Sequence, residues 1–170
     1  ETYHYTRGDT DLKLLKQAHQ AMQKQLDRLW KTHSLQELQN PTELLTLASI
    51  VERESGRNED RYKIARVFLN RLQKGMRLQS DPTVIYGLGS VFDGDLKRRH
   101  LTSDGPFNTY TRAGLPPTPI CNPGAGALTA VLTPADGDWL YFVGRGDGSS
   151  QFSLDLKAHN RAVNQYQRGK

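Results

Sequence analysis

The sequence predicts an α+β fold that is mostly helical and carries one small β-hairpin. Three segments in the first half of the chain and one at its end have apolar residues at helical spacing. Residues 139–154 form two short β-prone runs around a glycine-rich turn, which predicts the hairpin. With 170 residues and no clear linker, the chain is interpreted as one domain, 1–170, in which residues 1–40 are an N-terminal helical segment.

The first predicted helix covers residues 9–31 and follows a start signal at Asp9 and Thr10. Lys, Gln and Arg fill most positions outside its apolar stripe, so the helix is predicted to be amphipathic. The stripe consists of Leu12, Leu15, Ala18, Met22, Leu26 and Leu29.

Two further helices are predicted before the middle of the chain. One runs from about Pro41 to Ser55, with Asn40 as its N-cap and Gly56 as its stop. The next is capped by Asn58 and stops at Gly75. Its apolar stripe is Ile64, Val67, Phe68 and Leu72.

The second half of the chain is rich in Gly, Pro, Asn, Asp and Thr, which is typical of loops that carry function on a helical base. Short helices are predicted at "SDPTVIYG", capped by Ser80 or Asp81, and at "NPGAGALTAVL", opened by Asn122 and Pro123. A last helix is expected over residues 155–167. Its predicted inward residues are Leu156, Ala162, Val163 and Tyr166.

Composition excludes several classes of function. A formal charge of +5 suits an anionic partner, but the basic residues are scattered or confined to the patch 97–100 without interleaved aromatic residues, so no nucleic-acid partner is expected. No segment approaches the ~20 apolar residues of a membrane span. Cys121 is the single cysteine, and the five histidines lack ligand spacing, so neither a disulfide, a metal nor another cofactor is expected.

The stretch "LASIVERESG" places two glutamates at the end of an apolar run. On a helical wheel of about 100° per residue, Leu47, Ile50 and Val51 fall within roughly 60° of Glu54, whereas Glu52 falls near 160°. A carboxyl at the end of an apolar stripe is partly desolvated, which raises its pKa and suits a general acid. The alternative is a solvated last-turn glutamate paired with Arg57 or Arg61.

Several motifs, in order, resemble the catalytic domain of the YceG-like family of endolytic murein transglycosylases. The resemblance runs from about Leu45 to Tyr166, and residues 1–40 match only loosely. The "ES" pair Glu54 and Ser55 also resembles the catalytic Glu-Ser of goose-lysozyme-like lytic transglycosylases. The motifs are "LASIVERES", "IARVFLNRLQKGMRLQSDPTVIYGLG", "FNTYTRAGLPPTPICNPG" and "LYFVGRGDGSSQFSLDLKAHN".

The resemblance implies a lysozyme-like domain that cleaves the MurNAc-GlcNAc bond without water, leaves 1,6-anhydroMurNAc ends and limits the length of nascent glycan strands. It implies Glu54 as the catalytic residue, acting first as acid and then as base. Peptidoglycan glycan strands are the expected substrate, with peptidoglycan synthases as further partners. The expected location is the periplasmic face of the cytoplasmic membrane, through an anchor that this chain lacks.

The loops offer polar groups for sugar hydroxyls and amides. Asp81 is equally well explained as an N-cap, and Tyr86 as a core residue. Asn70, Arg71 and the proline-braced loop 114–124 are expected to fix the scaffold, and His159 to pack with Asn160. The predicted substrate-binding residues are Gln79, Ser80, Asp81, Thr83, Tyr86, Asn108, Tyr110 and Asn122.

Two alternatives to a lytic transglycosylase stay open. A hydrolytic muramidase would use Glu54 together with Asp81 or another acid, since such enzymes need two carboxylates. A glycan-binding or divisome-interaction module without catalysis would keep the aromatic cleft but would not need a raised pKa on Glu54.

Overall fold

The computed structural model describes residues 2–33 and 35–167. The chain forms two compact units, Glu1–Leu35 and Gln36–Lys170. The prediction of one domain over 1–170 is not decided by this division and stays a prediction. In the part of the chain that the structure describes, no helix is both long and apolar enough to span a bilayer.

The first unit is built on helix α1, Asp11–Thr32. Thr10 is its N-cap and accepts a hydrogen bond from the amide of Lys13, as the start signal predicted. The predicted apolar stripe is only partly covered, because Leu12 and Leu15 are 57% and 66% exposed. Helical spacing identifies a face but does not show that a partner covers it.

The second unit has a core of three helices, α2 (Pro41–Glu54), α3 (Arg61–Gln73) and α6 (Ala125–Leu132), which pack against one another. Asn40 caps α2 as predicted. Helix α3 begins two residues later than predicted, with Asp60 at its N-cap position and Asn58 in the preceding turn. The fully buried side chains include Leu44, Leu47, Ile50, Ile64, Phe68 and Leu128.

Short elements surround this core. Helix α4, Asp81–Leu88, begins after Ser80, and a 3-10 turn follows at Gly89–Val91. Helix α5, Arg98–Thr102, was not predicted, because its residues "RRHLT" carry no apolar periodicity. Helix α6 starts after Gly124 rather than at Asn122.

The predicted hairpin and last helix complete the unit, and the α+β prediction is confirmed. Strands β1, Tyr141–Gly144, and β2, Ser150–Ser153, pair antiparallel with Phe142 opposite Phe152. Helix α7, Leu156–Tyr166, packs on both strands. Its N-cap Asp155 accepts a hydrogen bond from the amide of Ala158.

Helix α3 holds the segment that leads into β1. The guanidinium of Arg66 donates to the carbonyl of Ala135 at 2.8 Å. The amide of Asn70 donates to the carbonyls of Gly137 and Trp139, both at 3.0 Å. Buried carbonyls need such partners, so these bonds fix residues 135–139 against the core. The prediction that Asn70 fixes a loop is confirmed.

Candidate active site

Glu54 is the last residue of α2, and its carboxyl lines a cleft. Residues 46–51 of this helix are buried, with Leu47, Ile50 and Val51 each 0% exposed. The hydroxyl of Ser80 donates a hydrogen bond of 2.6 Å to Glu54 Oε1. The end of an apolar helix and one hydroxyl from the start of α4 therefore fix this carboxyl in place.

The environment of Glu54 keeps it protonated to an unusually high pH. Burial raises the pKa of Glu54 from its ordinary 4.5 to about 7. The hydrogen bond from Ser80 acts in the opposite direction, the negative charge of Asp81 raises the pKa further, and the positive charge of Arg71 lowers it. Glu54 can therefore donate a proton near neutral pH, as a general acid must.

Glu52 has a different environment, although it lies only two residues away. Its Oε1 is 3.5 Å from the guanidinium of Arg61, and its Oε2 accepts a hydrogen bond of 3.2 Å from the backbone N–H of Gly124. Glu52 thus holds the segment before α6 against α2 and α3. It is not among the residues that line the cleft.

The cleft has a volume of roughly 400 Å³ and is lined by both polar and apolar side chains. Its polar lining includes Glu54, Gln79, Asp81 and Tyr110, all of which were predicted from the sequence as site residues. Leu78, strand β1 and helix α7 supply the apolar part. A mixed lining of this kind is typical of sites that bind small organic groups.

Asp81 and Tyr110 form a pair at the cleft. The phenol of Tyr110 donates a hydrogen bond of 2.5 Å to Asp81 Oδ1. Burial, followed by this hydrogen bond to Asp81, raises the pKa of Tyr110, so the phenol keeps its proton. The Asp81 carboxyl therefore accepts a hydrogen bond from Tyr110 in the cleft that Glu54 also lines. Asp81 is also an acidic residue in the first turn of α4.

Gln79 joins the cleft through unusual backbone geometry. It is the one residue other than glycine, within 2–33 and 35–167, that has a positive φ, of 52°. The backbone N–H of Gln79 donates a hydrogen bond of 3.0 Å to the carbonyl of Thr109. Left-handed backbone in a non-glycine residue carries a cost that the surrounding structure must offset. Here the conformation turns the chain so that Ser80 meets Glu54 and Asp81 begins α4.

Three predicted site residues support the cleft from behind. Ser80 is 1% exposed and contacts Glu54 instead of open cleft. Thr83 is fully buried, donates to the carbonyl of Ser80 at 2.7 Å and shares a hydrogen bond with the hydroxyl of Thr109. The amide of Asn108 donates to the carbonyls of His100, Leu101 and Ser103. These side chains position the loops, and direct sugar contact by them has no support in the geometry.

Tyr86 and Asn122 also stand apart from the residues that line the cleft. The ring of Tyr86 packs edge-on against Phe107, with 4.9 Å between the ring centroids, and is 46% exposed. Asn122 is exposed in the segment that precedes α6. Their roles in substrate binding stay predictions.

The two serines near Glu54 have different partners. Ser55 follows Glu54 in the chain, but its hydroxyl accepts a hydrogen bond of 3.1 Å from Arg61. The serine that contacts the Glu54 carboxyl is Ser80. Ser55, although adjacent to Glu54 in the chain, is therefore engaged by Arg61, and Ser80 supplies the hydroxyl at the Glu54 carboxyl.

Four polar residues that line the cleft were not predicted as site residues, namely Arg71, Tyr141, His159 and Gln167. Arg71, expected only to fix loops, does so by donating to the carbonyls of Leu140 and Leu78, each at 2.7 Å, but it also lines the cleft. His159 was expected to pack with Asn160; instead its ring stacks on Tyr141, with 5.2 Å between centroids, and lines the cleft. Both residues lie on helix faces that patterning assigned to the scaffold.

Comparisons with known proteins establish the family of this chain. The YceG-like family matches residues 1–165, and the chain belongs to this family. It is 41% identical over 169 residues to an endolytic murein transglycosylase of Bacillus subtilis, covering 97% of this chain and 46% of that protein. It is 32% identical over 167 residues to an endolytic murein transglycosylase of Streptococcus pneumoniae, covering 95% of this chain and 30% of that protein. The chain thus spans less than half the length of these relatives.

A solved structure supports the same assignment. The chain is similar to the crystal structure of a YceG-like protein from Listeria monocytogenes, with a TM-score of 0.76 and 37% identity. The match covers 94% of this chain and 51% of the Listeria chain. The fold described above is therefore that of a YceG-like protein.

Proposed function

We propose that this chain is a lytic transglycosylase domain that cleaves peptidoglycan glycan strands, with Glu54 as the catalytic residue. The observation that carries the proposal is the Glu54 carboxyl, which lines a cleft and has its pKa raised to about 7. Family membership and relatives named endolytic murein transglycosylases give the substrate class. A binding module without catalysis would have no need of a carboxyl tuned in this way.

One carboxyl is sufficient for the proposed reaction. Glu54 donates its proton to the glycosidic oxygen as the bond from that oxygen to the anomeric carbon of MurNAc breaks. The 6-hydroxyl oxygen of the same MurNAc attacks the anomeric carbon, and its proton passes to the Glu54 carboxylate. Glu54 returns to its protonated form, and the products are a new GlcNAc end and a 1,6-anhydroMurNAc end. The attacking hydroxyl is tethered to the substrate and is favoured over water for that reason.

The neighbours of Glu54 fit both halves of this cycle. The Asp81 charge favours the protonated form that starts the reaction, whereas Arg71 and the Ser80 hydroxyl favour the carboxylate that accepts the second proton. These opposed influences leave Glu54 able to exchange a proton near neutral pH. Asp81 is also the second carboxylate that a hydrolytic muramidase would require, so the chemistry of the product separates the two enzymes.

The product ends test this proposal. Purified sacculi digested by the domain are expected to yield 1,6-anhydroMurNAc ends, which are lighter by one water than the ends made by a muramidase. Digestion in water labelled with ¹⁸O should leave these ends unlabelled, because water does not take part. Reducing MurNAc ends that carry ¹⁸O would instead identify a hydrolase that uses Glu54 with Asp81.

The cellular setting belongs to the same proposal. Cleavage within nascent strands would limit their length, and peptidoglycan synthases are the partners that supply such strands. The site of action would be the outer face of the cytoplasmic membrane, the periplasmic face in bacteria with an outer membrane. The names of the relatives, endolytic murein transglycosylases, support cleavage within strands.

A further inference from the structure

Helix α7 presents one face to the cleft that contains Glu54. Leu156, His159, Val163 and Gln167 are spaced by three, four and four residues and all line this cleft. That spacing places them on one side of a helix. Ala162, which is 6% exposed, belongs to a different side of the helix. We call the four cleft-lining residues the α7 face.

The exposure of Leu156 distinguishes this face from an ordinary core stripe. Leu156 was predicted to point inward, yet it is 55% exposed. A large apolar side chain left in contact with water at the wall of a cleft gains free energy when a ligand covers it. The face is thus partly uncovered in the protein alone.

His159 gives the α7 face a polar group. Within the described residues, His159 Nδ1 is enclosed and has no hydrogen-bond partner. The ring is held in position by stacking on Tyr141, whose ring also lies 5.1 Å from the guanidinium carbon of Arg71. Because Nδ1 is enclosed, Nε2 is the ring nitrogen through which His159 can reach a ligand.

The charge state of His159 suits a neutral ligand. Burial, and then the positive charge of Arg71, lowers the pKa of His159. The imidazole is therefore uncharged at neutral pH, and it can donate or accept one hydrogen bond. Gln167, at the end of the same face, offers an amide with the same versatility.

This combination matches the chemistry of a sugar ring. Pyranose rings expose patches of C–H groups beside hydroxyl and acetamido groups, so they need apolar contacts with a few fixed hydrogen bonds. We infer that the α7 face is a saccharide-binding subsite, which holds a sugar of the same glycan strand that Glu54 cleaves. The ligand follows from continuity, since one cleft contains both Glu54 and the α7 face. The inference rests on the proposed function, because it takes a glycan strand as the ligand.

Two leucines provide a matched test of this subsite. Leu154 and Leu156 are 57% and 55% exposed, but only Leu156 lines the cleft of Glu54. Leu154 borders a separate depression with Asp155 and Arg161. Both leucines are exposed, so serine at either position is expected to leave the fold intact. The variants Leu156→Ser and Leu154→Ser therefore differ chiefly in which surface they alter.

Binding is measured in the Glu54→Gln protein, which retains the cleft without cleaving the ligand. The probe is a soluble glycan tetrasaccharide of alternating GlcNAc and MurNAc. Its dissociation constant is measured by calorimetry. Leu156→Ser is expected to weaken binding roughly tenfold, the change that follows when about 50 Å² of apolar surface is no longer covered. Leu154→Ser should bind as the parent does. His159→Phe keeps a ring against Tyr141 but removes Nε2, and should weaken binding by about two- to tenfold.

The outcomes separate this inference from the proposed function. Weaker binding in Leu156→Ser and His159→Phe, with Leu154→Ser unchanged, supports the subsite. If the parent binds the tetrasaccharide and all three variants bind it equally well, the subsite is wrong while the proposed function stands. If the parent binds no glycan and the wild-type chain cleaves none, the proposed function falls and the subsite falls with it.

Discussion

Replacing Glu54 with glutamine is expected to abolish cleavage of sacculi while leaving the protein folded. The amide has nearly the shape of the carboxyl and can still accept the hydrogen bond of Ser80, which is 2.6 Å long in the wild type. It cannot donate a proton to the glycosidic oxygen or take one from the 6-hydroxyl. Loss of general acid-base catalysis costs about 10² to 10⁴ in rate for each proton transfer. Release of anhydro ends per unit time is the measurement.

Glu52→Gln is the matched control, because the same substitution is made two residues away on the same helix. Glutamine at this position keeps an acceptor for the amide of Gly124 and loses only the partly exposed ion pair with Arg61. Such pairs contribute roughly 0 to 1 kcal/mol. The Glu52→Gln variant should retain most of the activity. An inactive Glu52→Gln beside an active Glu54→Gln would reverse the assignment.

The Glu54→Gln variant should also change how stability depends on pH. The folded-state pKa of about 7 lies above the ordinary value of 4.5, so wild-type folding favours the protonated carboxyl. As pH rises from 4.5 to 7, the unfolded chain loses this proton first, and the stability of the wild type falls relative to that of the variant. The difference in free energy of unfolding should reach at most about 3 kcal/mol above pH 7 and vanish below pH 4. Urea denaturation at several pH values measures it.

Arg71→Met is expected to have the second largest effect, on both stability and activity. Arg71 is 7% exposed and donates to the carbonyls of Leu140, Leu78 and Arg77. Methionine fills similar space but leaves three carbonyls without this donor, which should cost roughly 3 to 5 kcal/mol of unfolding free energy. These carbonyls lie next to cleft residues, so displacement should also reduce turnover by roughly 10²-fold. Both quantities are measured at a temperature where the variant is folded.

Two control variants separate an effect of Arg71 on catalysis in the cleft from an effect on the stability of the fold. Arg66→Met removes a guanidinium from the same helix and one bond, to Ala135, but Arg66 does not line the cleft. This variant should lose stability and keep its turnover. Arg71→Lys keeps the positive charge near Glu54 and should recover part of the activity. Equal loss of turnover in Arg66→Met and Arg71→Met would show that Arg71 acts on activity only through stability.

The helices could be predicted well from sequence, because their caps and periodicities are local signals. Thr10 and Asn40 accept the capping hydrogen bonds expected of them. Periodicity failed where burial depends on a partner from elsewhere in the chain. Leu12 and Leu156 occupy stripe positions, yet each is more than half exposed.

Glu54 was selected by an argument that the structure supports only in part. Residues 46–51 of α2 are all buried, including Ala48 and Ser49, which lie beside Glu52 on the wheel. The apolar stripe therefore did not distinguish the two glutamates. Their partners do, because Glu52 meets Arg61 and Gly124 whereas Glu54 meets Ser80 and the cleft. Those partners are distant in sequence, and no local pattern could reveal them.

Local sequence patterns were also unable to show which loop residues of the site face the cleft. Gln79, Asp81 and Tyr110 were predicted from motifs and do line the cleft. Asn108 lies in a motif just as distinctive, but its amide is engaged by three backbone carbonyls. A motif marks a position where geometry matters. It does not show whether the side chain faces the ligand or holds the loop.

The central claim is that Glu54 is a protonated acid near neutral pH, and a titration of its carboxyl tests this most directly. The protein is labelled with ¹³C at glutamate side-chain carboxyls, and each resonance is followed by NMR from pH 3 to 9. Glu54→Gln identifies the Glu54 signal by its disappearance. The account predicts that this signal titrates near pH 7, in keeping with the desolvated carboxyl at the end of α2. A midpoint between pH 4 and 5, like that of an exposed glutamate, would contradict the claim.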